Sequence, residues 1–298
     1  VYYAESLEKL LSNITIAKPT IMTAVPRFYQ NLYSKILLNF SKQKGFKKKM
    51  IENTIILGTK ILNNETLNYK EKFINFFCEN LVRRKIKNQF GGKLKAFVSG
   101  GGALDQKIGI FLNSIGLPTL QGYGLTESSP VVSCNIPGKI KIETVGPPFK
   151  TNEVKIAEDG EILVKGENVM IGYWNNKKET NEVIKNGWLH TGDIGEFTNE
   201  GNLKITDRKK ELIVNLGGDN ISPSKIENLL VLNEKITQSF VYGDKKTYLV
   251  ALIVTDNHEN KKEIQLYIEK LNKDLSIIEK IKKFKLINEE FTIENGML

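Results

Sequence analysis

The sequence predicts an α/β fold with three successive textures: a parallel α/β portion, a β-rich, barrel-like section, and a small C-terminal α+β module. Three observations carry this. Up to about Thr144, apolar runs ending in glycines alternate with helical periodicity, the rhythm of a parallel sheet with crossover helices. Two stretches of strict apolar/polar alternation then fold back around Asp159-Gly160 and Glu200-Gly201-Asn202. Finally, Ser222-Pro223 opens a helix followed by further strand-like and amphipathic segments.

Leu7, Leu10, Leu11 and Ile14 recur at helical spacing, and PTIMTAVP (Pro19 to Pro26) reads as a buried strand. From Arg27 to about Phe90 the pattern is helical, with Phe28/Leu32/Ile36 and Phe73/Phe77/Leu81 at four-residue steps. Phe73, Phe76 and Phe77 are expected in the core, with a fatty-acyl tunnel as the alternative. LKAFVSGGG (Leu94 to Gly102) is a strand running into glycines. Asp105 opens a helix that presents Ile108, Phe111, Leu112 and Ile115 on one face and closes at Gly116. LPTLQGYG is the next strand. EVKIAEDGEILVKG (Glu153 to Gly166) and IGEFTNEGNLKITDR (Ile194 to Arg208) are hairpins. After Arg208 come a short strand, GGDNISP, a helix, two more strands and an amphipathic stretch from Ile264 to Ile287. No internal repeat or low-complexity linker is visible, and the domain boundary is expected near Asp207 to Lys210.

The chain has 298 residues, enough for one large domain or two unequal ones. With 40% hydrophobic residues it can fill a sizeable core. The net charge of +9 is spread over Lys-rich faces without interleaved aromatics, so an anionic substrate explains it and a nucleic-acid partner is not expected. The Lys-rich helix expected around Lys280 to Lys285 reads as a solvated face, with peripheral contact to an anionic membrane as the alternative. Cys78 and Cys134 form neither a disulfide framework nor a zinc site, and a reducing cytoplasm is the simplest compartment. His190 reads as a packed or hydrogen-bonded loop residue, and His258 as solvent-facing.

Three constellations carry chemistry. In QGYGLTESS (Gln121 to Ser129), Gly122 and Gly124 allow backbone to approach a flat ligand, and Tyr123 offers a ring for a base. Thr126 supplies a hydroxyl for a phosphate oxygen, and Glu127 a hard oxygen for magnesium. The alternative is a tight turn with Tyr123 in the core and Thr126-Glu127 capping the next helix; spacing alone leaves both open. In NGWLHTGDIG (Asn186 to Gly195), Asp193 sits in an expected turn between two glycines, where one carboxylate can accept from both ribose hydroxyls. In DRKKELIVNLGGDNISP, Arg208 is a permanent cation for sugar or phosphate oxygens, and Gly217-Gly218 is a close-approach site or a plain turn.

Taken in order, SGGGAL, QGYGLTESSP, GWLHTGDIG and DRKKELIV…GG resemble the adenylate-forming superfamily of acyl-CoA synthetases, luciferases and peptide-synthetase adenylation domains. VYYAESLEKLL…KPTIMTAVPRFY and IKKFKLINEEFTIENGML look more narrowly like long-chain fatty acid:CoA ligases, and the resemblance runs over essentially the whole chain. It implies a reaction of fatty acid, ATP and coenzyme A through an acyl-adenylate, with Mg²⁺. Gly100, Gly101 and Gly102 would line the adenine and acyl pocket. Gln121, Gly122, Tyr123 and Gly124 would hold the nucleotide, with Tyr123 stacking on adenine. Thr126 would touch the α-phosphate and Glu127 would hold Mg²⁺. Asp193 and Arg208 would bind the ribose, Lys210 would be the hinge of a small mobile domain, and Gly217 and Gly218 would line the pantetheine tunnel. Residues 1–207 would be the C-terminal part of a large AMP-binding domain, β-rich from about 144 to 207, and 208–298 the small domain. An aryl-CoA ligase, a fatty acyl-AMP ligase and a non-catalytic nucleotide-binding module are the alternatives.

The family also carries a Ser/Thr/Gly-rich phosphate loop ending in lysine, expected upstream of Val1, and a catalytic lysine expected just past Leu298. The resemblance therefore implies a partial α/β subdomain, an open apolar face and little complete ligase activity in the chain alone. Robust ATP–pyrophosphate exchange with a fatty acid would refute that expectation.

Overall fold

The computed structural model describes residues 2–3, 9–233, 235–255, 260–292 and 295–297. His258 lies outside the described residues. The chain divides into two compact units: Val1–Thr191 with Gly195–Ile205, and Gly192–Ile194 with Thr206–Leu298.

The first unit opens with α1 (Leu10–Ala17), β1 (Ile21–Ala24), α2 (Pro26–Ser41), α3 (Gly45–Leu62), α4 (Tyr69–Cys78) and α5 (Arg84–Gln89). There follow β2 (Ala96–Ser99), α6 (Gln106–Ser114), β3 (Thr119–Tyr123) and β4 (Ser133–Cys134). β1, β2 and β3 pair in parallel, with Ala24 opposite Ser99 and Ser99 opposite Gln121, and β4 closes the sheet antiparallel. β1 is not the buried strand expected from PTIMTAVP. It lies at the end of the strand order and Ile21 is 62% exposed, because its apolar residues have a neighbour strand on one side alone.

Local chemistry sets the helices. Asn68 and Glu71 cap α4 reciprocally, each side chain accepting from the other's backbone N–H at 2.9 Å. Asp105 caps α6 by accepting from the N–H of Ile108 at 3.1 Å. Gly58 lets α3 lie directly on Ser114 of α6, where a Cβ would strike the Ser114 backbone. Between α4 and α5 a π-helical turn, Glu79–Arg83, turns Arg83 inward. Its guanidinium donates to the carbonyls of Ser114 (2.8 Å) and Thr54 (3.1 Å) and to Asn75 Oδ1 (2.7 Å). Phe97 and Tyr29 are fully buried and meet edge to face at 5.7 Å. Phe73, Phe76 and Phe77, by contrast, are not core. They are 67%, 64% and 40% exposed, because α4 turns Cys78 inward and leaves its aromatic face outward.

The β-rich section contains β5 (Asn152–Ile156), β6 (Glu161–Gly166), α7 (Lys177–Val183), β7 (Ile184–Lys185), β8 (Trp188–Phe197) and β9 (Leu203–Arg208). The sheet runs β5-β6-β8-β7 with β9 on β8, and curls into a half-barrel. The β5–β6 hairpin turns at Gly160, whose φ of +84° only glycine adopts without strain. Val132, Ile162, Val164, Leu189 and Leu203 form its buried core.

The second unit holds β10 (Ile213–Val214), β11 (Asn220–Ile221), α8 (Pro223–Leu230), β12 (Gln238–Tyr242), β13 (Leu249–Val254), α9 (Lys261–Asp274) and β14 (Ile281–Ile287). Ser222 caps α8 by accepting from the N–H of Lys225 at 3.3 Å, with Pro223 in the first turn. β12, β13 and β14 form one sheet, antiparallel then parallel, over a core that includes Ile226, Leu230, Ile253 and Ile264. The stretch from Ile264 to Ile287 is thus a helix and then a strand. Lys282, Lys283 and Lys285 are exposed on β14 rather than on a helix, since Ile281 and Leu286 are needed in the sheet's core. Among the described residues no helix is long and apolar enough to cross a membrane.

Candidate functional site

Because β2 and β3 run in parallel, their carboxyl ends lie side by side, and each ends in a glycine loop. Gly100, Gly101 and Gly102 leave β2 directly, and Gly122, Tyr123 and Gly124 end β3. This is where parallel α/β sheets receive ligands. The glycines are bare for different reasons. A Cβ at Gly100 would come no closer than 3.9 Å to another atom, the carbonyl oxygen of Gly122, and at Gly102 no closer than 3.5 Å. A methyl group would therefore fit at either position in ordinary contact with the protein. At Gly124 a Cβ would collide with the carbonyl of Pro130, so this glycine serves the packing of its own loop rather than ligand approach.

Gln121 is buried, and its side chain is committed to the protein: the amide donates to the carbonyl of Ile142, and Oε1 accepts from the N–H of Leu104 at 3.0 Å. That bond ties the end of the glycine loop to β3. Tyr123 is half-buried against the half-barrel core.

Thr126 and Glu127 begin a single 3₁₀ turn, Thr126–Ser128. Ser128, not Thr126, serves as the local cap, its hydroxyl accepting from the N–H of Leu125 at 2.9 Å. Thr126 is exposed and Glu127 half-buried. The turn is held from the segment after β6. The N–H of Met170 donates to the Glu127 carbonyl at 2.8 Å, and Asn168 Nδ2 to the Ser128 carbonyl at 2.8 Å. Tyr173 donates its hydroxyl to Glu127 Oε1 at 2.7 Å. Its phenol is pushed up to about 12, first by that hydrogen bond and then by burial and the Glu127 charge. Sequence reasoning missed Tyr173, which lies 46 residues from Glu127.

Asp193 and Arg208 belong to the second unit. Asp193 stands within strand β8, not in a turn; Gly192, with φ +74°, kinks the strand there without ending it. Its carboxylate is 6% exposed and lies 3.3 Å from Arg208 Nε. Arg208, 56% exposed, also reaches Glu211 Oε1 at 3.2 Å. The N–H of Lys209 donates to the carbonyl of Gly192 at 2.8 Å. Lys210 is exposed in the turn after β9. Gly217 and Gly218 form the tip of the β10–β11 hairpin, whose loop is closed by Asn215 bonding Asp219. A Cβ at Gly218 would meet nothing within 4 Å.

His190 lies in β8 rather than in a loop. Its Nδ1 is 3.0 Å from the buried Glu161 carboxylate, so the expected hydrogen-bonded role holds and no catalytic one is added.

Magnesium that arrives on a nucleotide takes most of its oxygens from phosphate and water, so one protein carboxylate suffices. Glu127 fits, since Tyr173 occupies one of its two oxygens. Among the described residues no group of three His, Cys, Asp or Glu forms a self-contained metal cage.

Residues 1–174 match the family model described as AMP-binding enzyme. A long-chain-fatty-acid–CoA ligase of Mycobacterium bovis is 32% identical across all of this chain and 54% of its own length. Long-chain-fatty-acid–CoA ligase 1 of Homo sapiens is 29% identical across all of this chain and 47% of its own. Among solved structures, o-succinylbenzoate CoA synthetase from Bacillus subtilis with its acyl-adenylate intermediate has a TM-score of 0.66 at 23% identity, covering 95% of this chain and 50% of that one. The adenylation domain of a carboxylate reductase from Mycobacterium chelonae has a TM-score of 0.69 at 21% identity, covering 98% and 45%. The chain spans about half the length of the curated relatives it matches. With more than half of its residues matched and two glycine loops side by side at the sheet's carboxyl end, the chain belongs to the AMP-binding enzyme family.

Proposed function

We propose that the protein acts in AMP-forming acid–CoA ligation, with a long-chain fatty acid as the acid and with ATP, Mg²⁺ and coenzyme A. One fatty-acid carboxylate oxygen attacks the α-phosphorus of ATP, and diphosphate leaves with the electrons of the broken P–O bond. The deprotonated sulfur of coenzyme A then attacks the acyl carbon, and AMP leaves. The observation that carries this reading is the open loop Gly100–Gly102 lying beside Tyr123 at one end of the parallel sheet.

In this scheme the glycine loop and Tyr123 receive the adenine, and the exposed Thr126 hydroxyl donates to the α-phosphate. Glu127 holds magnesium, which when bound neutralises phosphate charge. Asp193, held by Arg208, accepts from the ribose hydroxyls. Lys210 serves as the hinge that lets the second unit present Gly217-Gly218 to the pantetheine arm. The catalytic contribution of these groups is positioning and charge stabilisation. The names of the sequence relatives favour the long-chain acid over an aryl acid. The test compares binding of hexadecanoyl-, acetyl- and benzoyl-sulfamoyl adenosine by calorimetry. Each buried methylene adds about 0.8 kcal/mol, so the hexadecanoyl compound is expected to bind at least tenfold tighter than the acetyl one. Tightest binding of the benzoyl compound would point to an aryl ligase instead.

A further inference from the structure

We infer that Tyr173 is a positioning residue for the Glu127 carboxylate, fixing one of its oxygens so that the other is presented to the nucleotide's magnesium. The inference rests on the reading of Glu127 as the magnesium ligand. The Tyr173 hydroxyl donates to Glu127 Oε1 at 2.7 Å, a short bond to an ionised acceptor and so among the stronger kinds. A carboxylate on a flexible two-carbon arm samples several rotamers, and a donor on Oε1 selects one and leaves Oε2 as the ligand.

Tyr173 is itself held in place. Its backbone N–H donates to Thr180 Oγ1 at 2.9 Å, and that hydroxyl donates to the Asn176 carbonyl at 2.8 Å. Its neighbours Ile171 and Trp174 stand in solvent, 103% and 91% exposed, while Tyr173 is half-buried. The Met170 N–H to Glu127 carbonyl bond ties the same segment to the same turn. The stretch from residue 170 to 173 thus grips Glu127 at backbone and side chain together. Partners that orient a metal's ligands commonly change metal affinity about 10- to 100-fold when removed.

The test measures calorimetric binding of AMP without metal, and of the β,γ-imido analogue of ATP across a Mg²⁺ titration, for wild type, Tyr173→Phe, Thr180→Val and Glu127→Gln. Tyr173→Phe keeps the ring and removes only the hydroxyl. It is expected to bind AMP within about twofold of wild type while needing roughly tenfold more Mg²⁺ for half-maximal uptake of the analogue. Thr180→Val, which releases the Tyr173 backbone and leaves its hydroxyl, is expected to move the Mg²⁺ requirement in the same direction by a smaller factor. A Mg²⁺ requirement unmoved by both, with Glu127→Gln still raising it, overturns the role of Tyr173. A requirement unmoved by Glu127→Gln overturns the ligand role of Glu127 instead. A wild-type chain that takes up neither nucleotide overturns the nucleotide-site reading as a whole.

Discussion

Replacing Gly124 with alanine places a methyl group against the carbonyl of Pro130, while the same change at Gly100 places it in ordinary van der Waals contact with the carbonyl oxygen of Gly122. The two substitutions separate protein packing from ligand space within one site. At Gly124 the obstacle is backbone, which cannot swing aside as a side chain can, so the cost belongs at the upper end of the overpacking range, about 3 kcal/mol. For a unit of about 200 residues that lowers the melting temperature by roughly 6–12 °C. The displaced Pro130 carbonyl also accepts from Ser128 Oγ at 3.3 Å, so the strain reaches the turn that carries Thr126 and Glu127. At Gly100 a methyl group meets nothing closer than 3.9 Å, and loss of glycine's freedom in the unfolded chain stabilises by about 0.4–1 kcal/mol. Gly100→Ala is therefore expected to melt at or slightly above wild type yet, on the proposed role of the glycine loop in receiving adenine, to bind AMP at least tenfold more weakly. Scanning calorimetry and an AMP titration on the same two samples read both effects. A Gly124→Ala protein that melts with wild type, or a Gly100→Ala protein that binds AMP normally, refutes the reasoning.

On the proposed role of Asp193 at the ribose, Asp193→Asn removes a charge that would strengthen those hydrogen bonds by about 1.5–3 kcal/mol; AMP should bind roughly 10- to 100-fold more weakly by calorimetry, with 2′,3′-dideoxy-AMP affected far less. Arg83→Met strips buried carbonyls of Ser114 and Thr54 of their donor, and urea denaturation should show a loss on the order of 3 kcal/mol. Burial works to raise Glu279, but hydrogen bonds from Lys225 and Ser276 outweigh it and hold the carboxyl below its usual range. A depressed folded-state acid adds stability above the ordinary carboxylate range and loses it as pH falls through the folded value. Lys225→Met should therefore cost about 0.2–1 kcal/mol at neutral pH, given that Lys225 is 55% exposed, and nothing once Glu279 is protonated. An equal cost at both pH values would contradict this assignment.

What was legible in the sequence follows the range of the interactions involved. The Asp159-Gly160 hairpin, the Asp105 cap and the Ser222-Pro223 helix start are decided within three or four residues, and each stands in the structure as expected. The exposure of Phe73, Phe76 and Phe77 was not legible, because a four-residue period marks an apolar face without showing what covers it. The strand at Lys282 to Lys285 hid behind its lysines, since its alternation is broken by two adjacent charges and its pairing with β13 is remote in sequence. Asp193 looked like a turn residue because its flanking glycines suggest one; Gly192 instead bends a continuous strand. The glycine loops marked the carboxyl ends of two parallel strands, but the division of labour within them was not legible: only the approach of Pro130 shows that Gly124 serves packing. Tyr173 carried no local signal, since its meaning comes from a contact across 46 residues.

The central claim is that adenosine monophosphate is received where the loops following β2 and β3 emerge together. The most direct measurement is a crystal structure of the chain with a hydrolysis-resistant acyl-sulfamoyl adenosine. The account predicts adenine between Gly100–Gly102 and the Tyr123 ring, with the sulfamoyl group within hydrogen-bond reach of the Thr126 hydroxyl. Ligand density at any other place, with the glycine loop left to solvent, would contradict it.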